Sequence, residues 1–458
     1  MRVFAAHSAR GGLWAWALVL SLMVSGVPEV KGGSGSEPAA TAISTDTVDL
    51  PTESSNPGVV VAREVFQTLR FRQPVYACAA PSDDHNLYVV ERGGMILRAH
   101  RSPSGDELAE VFLDLTPVTH ANPFLDDGML GLAFHPTFGQ DGARYSGDFF
   151  VYYITEIGGH AYYRLARFTV ATPGGPADPE SEEVLIQQLD RNPIHNGGSL
   201  LFGPDGCLYL SIGDEGSQAD PFQSSQKIDD GLFSGILRID VDRRGGALSH
   251  PPKRQPARGR TAGYHIPKDN PFIGVIGALE EFWAIGFRSP HRMSWDAGRN
   301  AIWLGDVGGG AGESIELARP GTNHQWSYRE GRSAFTYSYL RGTPPSPPVG
   351  IDTNPLFDYP HENGNRAVIG GYVYRGSELP QLHGCYIFGD SGSSRIWAMK
   401  LRGDEPVAIE MLTVLPTFPR AGITSFGVDA HGEILICVMG EENQRDGRVY
   451  RLGRGTGE

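Results

Sequence analysis

The sequence predicts an all-β protein built as a six-bladed β-propeller with long loops between its strands. Its 458 residues include 60 glycines and 33 prolines, spread without a short period, which is typical of many tight turns and few helices. A hairpin-like pattern also recurs six times along the chain. Repeated β-units over about 400 residues favour a radial array of four-stranded blades. A pair of β-sandwiches is the alternative.

Each unit combines a polar turn, a short aromatic or β-branched run, a glycine or aspartate, and a second short strand. Alternation of apolar and polar residues with period two predicts a hairpin at each place. The units are PSDDHNLYVVERGGMILRAH from Pro81, QDGARYSGDFFVYYITE from Gln140, GPDGCLYLSIGDEG from Gly203, DAGRNAIWLGDVG from Asp296, LHGCYIFGDSGSSRIWAMKL from Leu382 and DAHGEILICVMGEENQRDGRVYRL from Asp429. In a propeller the ligand site lies where the inner strands meet the central channel, under the long loops.

The N-terminus has the features of a secretory signal over residues 1–26. Two arginines precede an uncharged apolar run, Leu13–Val24, and small residues follow up to Gly26. The run is short for a membrane span, and an uncleaved signal anchor is the alternative. Residues 27–58 are rich in Gly, Ser, Thr and Pro and are predicted to form a disordered linker. We therefore expect an exported protein, periplasmic or extracellular, whose propeller domain spans residues 59–458 and whose mature chain has no membrane span.

Charge and cysteine usage exclude some functions. The formal net charge is -14, which argues against nucleic acid as a partner. The four cysteines form no C-x-x-C pair, so zinc-ribbon, thioredoxin and haem c signatures are absent from the sequence. Export permits disulfides, and buried free thiols are the alternative for all four: Cys78, Cys207, Cys385 and Cys437. Cys78 and Cys437 would come close if the two ends of the domain meet.

Two segments carry candidate catalytic side chains. His195 precedes two glycines in IHNGG, at the start of a predicted strand. A histidine accepts a proton near neutral pH, and glycines let the backbone pass close to a flat ligand. A histidine that only caps a turn is the alternative. Arg288, in EFWAIGFRSPHRMSWD, offers planar donors for a carboxylate or a quinone oxygen. A structural ion pair is the alternative there.

Two further segments are candidates for binding a cation or a ligand. The strand in WLGDVGGGAGESIEL runs into Gly308, Gly309 and Gly310, whose exposed carbonyls would suit Ca²⁺. A flexible loop is the alternative. Asp126 and Asp127, in NPFLDDGMLGLAFHP, would bind a ligand or a cation, or make the turn. The sequence contains no Walker loop, HExxH or C-x-x-C-H motif, so phosphoryl transfer, zinc proteolysis and a fused cytochrome are not indicated.

Taken together, these segments resemble the soluble glucose/sorbosone dehydrogenases, also called aldose sugar dehydrogenases. The resemblance covers about residues 65–453 and keeps the order of the family's segments. They are DDGMLGLAFHPTF, HNGGSLLFGPDGCLYLSIGDEG, GILRIDVD, YHIPKDNPF, EFWAIGFRSPHRMSWD, IWLGDVGGGAGESIEL and GGYVYRGSELPQLHGCYIFGD. Hedgehog-interacting proteins carry a similar propeller, so the fold alone does not imply dehydrogenase activity.

The resemblance implies a six-bladed propeller that holds pyrroloquinoline quinone (PQQ) and Ca²⁺. It places His195 on the catalytic base and Arg288 on the arginine that binds the cofactor and stabilises the reduced quinone. The remaining positions that it implies are the calcium-ligating carbonyls of Gly308 and Gly309 and the cofactor pocket residues Asp126, Ser289 and Arg420.

This chain departs from the family pattern at two places. Ser289 stands where asparagine is usual. The family's best-known members also have a lysine in the segment aligned with GDSGSSRIW. Here that segment has Gly392, Ser393 and Ser394, and the nearest cation is Arg395.

The function implied by the resemblance is oxidation of an aldose at C1, with hydride transfer to PQQ. The sequence has no haem motif, so the electrons would pass to an external acceptor. One rival is a non-catalytic propeller that binds carbohydrate or protein. The other is a Ca²⁺-dependent lactonase or hydrolase, in which His195 and the carboxylates would activate water.

Overall fold

The computed structural model describes residues 48–56, 58–122, 126–172, 174–335, 349–415, 422–441 and 444–455. These residues form β-strands joined by loops, with two short 3-10 helices, Pro179–Ser181 and Pro380–Leu382, between them. No helix in these ranges is long and apolar enough to cross a membrane. The predicted all-β class is confirmed.

The strands form six sheets of four or more strands. The first sheet contains β2 (Pro74–Cys78), β3 (Leu87–Glu91), β4 (Met95–Arg101) and β5 (Glu107–Asp114). The second contains β6 (Met129–Phe134), β7 (Asp148–Ile157), β8 (His160–Thr169), β9 (Glu183–Leu189) and β14 (Gly259–Thr261). The third contains β10 (Leu200–Phe202), β11 (Leu208–Ile212), β12 (Gly235–Ile239), β16 (Phe282–Ile285), β20 (Thr322–Asn323) and β23 (Ile351–Asp352).

Three four-stranded sheets follow. The fourth sheet contains β17 (Pro290–Asp296), β18 (Ala301–Asp306), β19 (Gly312–Ala318) and β24 (Phe357–Pro360). The fifth contains β25 (Val368–Val373), β26 (Tyr386–Asp390), β27 (Arg395–Arg402) and β28 (Glu405–Val414). The sixth contains β29 (Ile423–Val428), β30 (Ile434–Val438), β31 (Arg448–Arg454) and β1 (Val60–Glu64). Two-stranded ribbons pair β13 (Ser249–His250) with β15 (Ile266–Pro267), and β21 (Arg329–Glu330) with β22 (Ser333–Ala334).

The sheets are arranged as a propeller. The first strand of each sheet contacts the first strand of the next, and β29 of the sixth sheet contacts β2 of the first, so the inner strands close into a ring. The sixth sheet joins the two ends of the domain, because β1 pairs antiparallel with β31. The propeller arrangement is confirmed. The expectation that every blade has four strands is wrong for the second and third sheets, where the long loops add strands at the outer edge.

The core lies between the faces of neighbouring sheets. In β7, eight consecutive residues from Asp148 to Thr155 are buried, so both faces of this strand are covered. One buried cluster joins side chains of the second and third sheets, including Tyr152, Leu165 and Leu210. This packing is what a radial array requires, because each sheet buries both faces against its neighbours.

Two smaller features concern the ends of the domain and the thiols. Within the segment predicted as a linker, the Pro51 carbonyl accepts a hydrogen bond from the Trp397 indole N–H at 2.8 Å, so residues near Pro51 lie against β27.

All four cysteines are free thiols, and only Cys385 among them is partly exposed. Burial raises the pKa of both the Cys78 and Cys437 thiols to about 12.

Candidate active site

His195 lies in the loop that leads into β10, and it is almost completely buried. Its φ is +61°, a left-handed conformation that few residues other than glycine adopt. The two glycines that follow have φ of +63° and +87°. A Cβ on Gly197 would lie 2.6 Å from the Ser211 carbonyl oxygen, and one on Gly198 would lie 2.6 Å from the Tyr152 ring. These glycines are therefore required for close packing, and the tight loop fixes where the histidine points.

A carboxylate orients the His195 ring. Its Nδ1 lies 2.7 Å from Oδ1 of Asp214, a residue that is fully buried. Because the carboxylate accepts this bond, Nδ1 carries the ring proton and Nε2 is left as the acceptor. No hydrogen bond to Nε2 comes from the described part of the chain. The pair therefore has the geometry of a general base whose free nitrogen is available to a ligand.

Asp214 also binds the indole of Trp326. The indole N–H donates to Oδ2 of Asp214 at 2.8 Å, and the Gly216 amide donates to Oδ1 at 2.9 Å. The Trp326 ring packs against Phe335 with centroids 4.4 Å apart. Both oxygens of the buried carboxylate are thus satisfied, which holds it rigid beneath the histidine.

Asp214 and Trp326 are site residues that the sequence did not predict. A signal for Asp214 was present, because the GPDG turn predicts the hairpin of β10 and β11, which pair Leu200 with Leu210. If this register is continued from β10 towards the N-terminus, His195 lies opposite Glu215, the residue after Asp214. No local signal indicates Trp326, which is 112 residues from Asp214 in the sequence.

Arg288 lies over the Trp326 ring, with its guanidinium carbon 5.6 Å from the ring centroid. Its Nη1 donates to the carbonyls of Val307 at 2.9 Å and Gly308 at 2.7 Å. Its main-chain N–H donates to Oδ2 of Asp306 at 2.9 Å. Its Nε–H is buried and has no hydrogen-bond partner among the described residues, which leaves one donor for a ligand acceptor.

The histidine and the arginine belong to one connected cluster. The Asp214 main-chain N–H donates to the Arg288 carbonyl at 2.9 Å. The side chains of Asp214 and Arg288 both contact Trp326. Gly213 lies at the junction, where a Cβ would be 2.0 Å from the His195 carbonyl oxygen and 2.7 Å from that of Arg288. Two segments about 90 residues apart in the chain are therefore brought together by their backbones as well as by their side chains.

The glycine-rich loop between β18 and β19 is organised by Glu330. Its Oε1 lies 2.7 to 3.4 Å from four successive main-chain N–H donors: Gly309, Gly310, Ala311 and Gly312. Successive amides that converge in this way form an anion-binding nest, and here a carboxylate of the same chain occupies it. A Cβ on Gly308 would lie 1.7 Å from the Gly312 carbonyl oxygen, so the loop cannot tighten around Glu330 without a glycine there.

A small cavity lies between Arg288 and this loop, with room for about one water molecule. Its lining carries several acids, among them Asp306, Glu316 and Glu330. Burial, with a contribution from the Glu316 carboxylate, raises the pKa of the Asp306 carboxyl well above its ordinary value. The hydrogen bond from the Arg288 main-chain N–H and the charge of the Arg288 guanidinium both act in the opposite direction on that pKa.

The two predicted pocket aspartates have different environments. Asp126 is exposed, and its Oδ2 accepts the main-chain N–H of His195 at 3.3 Å, which places it beside that histidine. Asp127 is fully buried, and its Oδ1 accepts the Asn122 N–H at 2.6 Å. Its Oδ2 lies 3.4 Å from Nε2 of His120. Burial raises the pKa of Asp127 to about 6. The geometry of Asp127 is that of a turn-forming side chain.

The other predicted cofactor positions are only partly brought together. Ser289 is buried beside Arg288, where its N–H donates to Oδ1 of Asp306 at 2.7 Å. Arg420 lies outside the described residues. At the position of the family's lysine, the Gly392 amide donates to Oδ1 of Asp390 at 2.9 Å. The neighbouring Arg395 donates to the Asn363 carbonyl at 2.7 Å.

The model of the glucose/sorbosone dehydrogenase family matches residues 72–417. The chain belongs to this family. It is 30% identical to the HIPL1 protein of Arabidopsis thaliana over 335 residues, which cover 63% of this chain and 46% of that protein. It is 26% identical to the Hedgehog-interacting protein of Mus musculus over 408 residues, which cover 85% of this chain and 52% of that protein. The chain thus spans about half the length of these relatives.

A solved structure shares the fold. The PQQ-bound form of the aldose sugar dehydrogenase of Streptomyces coelicolor superposes with a TM-score of 0.60 at 16% identity, covering 87% of this chain and 99% of that one. At this low identity, the superposition supports the propeller fold alone. Within the described ranges of our chain, no group of three or more His, Cys, Asp or Glu residues is placed to hold a metal ion.

Proposed function

We propose that this protein oxidises an aldose at C1 with PQQ as the hydride acceptor, and that an external acceptor takes up the electrons. The observation that carries the proposal is the hydrogen bond of 2.7 Å between His195 and the buried Asp214 carboxylate. Family membership and the PQQ-bound structural neighbour support it. A quinone of this type, when bound, supplies the hydride-accepting centre.

The proposed reaction needs one proton transfer that this chain's own residues provide. The C1 hydroxyl of the sugar gives its proton to Nε2 of His195 while the hydride leaves C1, so a cyclic aldose becomes a lactone. Asp214 holds the ring in the required tautomer and stabilises the imidazolium that forms. His195 and Asp214 are both buried, so bulk water has little access to this pair.

Arg288 has the donor geometry that a quinone needs. Its buried Nε–H has no partner in the described part of the chain, and a quinone oxygen would satisfy it. We propose Arg288 as a second catalytic residue, with Asp126, Ser289 and Arg420 as cofactor contacts. The Gly308 carbonyl, by contrast, already accepts from Arg288 at 2.7 Å. A calcium ion on the predicted carbonyls of Gly308 and Gly309 would lie beside this guanidinium and be repelled by it. The predicted site therefore does not fit this arrangement, and no step of the reaction is derived through it.

A second candidate function is non-catalytic binding of carbohydrate or protein. The similarity to the Hedgehog-interacting protein favours it, because that match covers 85% of this chain. In this case the histidine and arginine would contact a ligand without chemistry.

Dye reduction with a panel of aldoses tests the proposal. The purified chain is loaded with PQQ, and His195→Ala is compared with His135→Ala, which removes a histidine paired with Asp242 at 3.2 Å. We expect a loss of at least about 10³-fold in His195→Ala and nearly full activity in His135→Ala. Calorimetry with PQQ separates the two candidates. Absence of PQQ binding would support the binding protein, whereas binding with an active His195→Ala variant would reject the proposed base.

We also propose a domain organisation. Residues 1–26 are a signal peptide of an exported protein, residues 27–58 a linker, and residues 59–458 the propeller domain. The six sheets of four or more strands, joined through their inner strands, support one blade per sheet. Sequencing of the mature N-terminus after expression with the native leader tests the cleavage site.

A further inference from the structure

The Gly308 carbonyl already has a cationic partner. Nη1 of Arg288 donates to it at 2.7 Å and to the adjacent Val307 carbonyl at 2.9 Å. A guanidinium is a permanent cation, and two carbonyls in a row are also the donor set that a hard divalent cation would use. In this chain the arginine and a metal ion at the predicted site would compete for the Gly308 oxygen.

The surroundings of the guanidinium are built for positive charge. Both oxygens of the buried Asp306 carboxylate accept main-chain amides, one from Arg288 and one from Ser289. The water-sized cavity next to Arg288 is lined by Glu316 and Glu330 as well. Arg288 and Arg329 both line this cavity beside the acids, and a metal ion in contact with the Arg288 guanidinium would be repelled by it.

The Trp326 ring also holds the arginine in place. Its guanidinium lies over Trp326, whose indole N–H is fixed by Asp214. Displacing Arg288 from Gly308 would break two hydrogen bonds to carbonyls and the cation–π contact together. The position is therefore occupied by a preorganised side chain.

We propose that the Arg288 guanidinium takes the place of the calcium ion at Gly308, so that this site binds its ligand without a divalent cation. Nη1 and the ring contact hold the arginine, and the unpaired Nε–H remains for an oxygen of an anionic or quinone ligand. The identity of that ligand as PQQ rests on the proposed function. The replacement of calcium by the arginine does not rest on the proposed function.

Terbium luminescence tests the proposal without any cofactor, because Tb³⁺ replaces Ca²⁺ and is sensitised by a nearby tryptophan. We expect the wild-type protein to show no Tb³⁺ emission that depends on Trp326, as judged against Trp326→Phe. Arg288→Met removes the charge at similar length and is expected to produce such emission, displaceable by Ca²⁺. Arg288→Lys keeps a cation and is expected to stay dark.

Arg329→Met is the matched control. Arg329 lines the same cavity, but its Nη2 donates to Asp352 at 2.6 Å, away from Gly308. We expect no Tb³⁺ site in this variant, and thermal unfolding checks that each variant folds. Emission dependent on Trp326 in the wild-type protein would overturn the proposal. So would its absence in a folded Arg288→Met variant.

A second arm titrates PQQ into the wild-type protein with EDTA or with Ca²⁺. The proposal predicts the same dissociation constant within about twofold, and tenfold tighter binding with Ca²⁺ would contradict it. If PQQ does not bind under either condition, the proposed function fails, and the terbium experiment still decides which cation occupies the site.

Discussion

The candidate site contains two glycine-rich segments that use their backbone groups differently. In 194–198 the glycines adopt positive φ and let the chain pass between Ser211 and Tyr152, so that the His195 side chain is fixed. In 308–312 the amides converge on Glu330, and the Gly308 carbonyl accepts from Arg288. A run of glycines thus indicates close backbone approach, but it does not indicate which backbone group is used.

The acids beside these two segments differ in the same way. The Glu330 carboxylate accepts four amides of the second segment. Asp190, just before the first segment, accepts only the Asn192 amide at 3.1 Å, and its Oδ2 is buried with no partner among the described residues. One carboxylate is therefore solvated by the backbone and the other is not, which predicts different responses to pH and to mutation.

The largest expected effect is on the orientation of His195. In Asp214→Asn the amide has nearly the same size, and its NH₂ can donate to Nδ1, so the ring proton moves to Nε2 and the base is lost. If the proposed oxidation is correct, we expect kcat to fall about 10³- to 10⁴-fold. Steady-state dye reduction with an aldose measures it, and PQQ calorimetry verifies that binding is retained.

Asp242→Asn is the matched control, because Asp242 also pairs with a histidine, His135, at 3.2 Å. We expect its activity to stay within about twofold of the wild-type value. An Asp214→Asn protein that keeps a tenth or more of kcat would show that His195 does not act as the base, and would remove the functional contrast between the two segments.

The sequence predicts His195 and Arg288 but not their surroundings. The hairpin after His195 follows from alternation and a GPDG turn, which are local signals, and β10 and β11 confirm it. Trp326 joins the two residues only because the ring of sheets brings distant loops together. Such contacts leave no periodicity in the sequence.

The second prediction concerns the unsatisfied carboxyl of Asp190. Burial raises its pKa to about 8, and the nearby Glu215 carboxylate acts in the same direction. The folded state therefore binds this proton more tightly than the unfolded state does. The contribution of this group to the free energy of unfolding is fully present below about pH 4. It falls by up to about 1.4 kcal/mol per pH unit as the pH rises towards 8.

Urea unfolding at pH 5 and pH 7 measures this contribution. We expect the wild-type protein to lose about 3 kcal/mol from this group over that interval, and Asp190→Asn, which cannot ionise, to lack that loss. Asp84→Asn, at an exposed position, is the control and should keep the wild-type slope. Equal slopes for wild type and Asp190→Asn would mean that the Asp190 carboxylate is stabilised in the folded protein.

The glycine run predicts a close approach of the backbone but not the role of its amides. Three consecutive glycines predict exposed carbonyls that would suit a cation, whereas the structure uses the amides of this loop to bind Glu330. The pattern is compatible with both uses, since each peptide unit presents a donor and an acceptor. The partner that decides between them lies 20 residues further along the chain from Gly310.

The third prediction compares glycines from the two parts of the site. In Gly213→Ala the new methyl group would lie 2.0 Å from the His195 carbonyl oxygen, so the backbone has to shift. We expect a loss of about 2 to 3 kcal/mol in the free energy of unfolding. In Gly310→Ala the nearest atom is 3.9 Å away, and we expect a change within about 0.5 kcal/mol. Urea midpoints of both variants measure the difference, and equal costs would show that the site has room for backbone movement.

The smallest expected effect is at the nest itself. Glu330→Gln keeps an oxygen that can accept the four amides but removes its charge, and hydrogen bonds to a neutral acceptor are about half as strong. We expect a loss of about 1 kcal/mol in the free energy of unfolding, measured by urea denaturation against Glu362→Gln at an exposed position. If Glu330→Gln unfolds at the wild-type midpoint, the glycines shape the loop without help from the carboxylate. The two segments would then be alike, since in both the backbone alone would set the conformation.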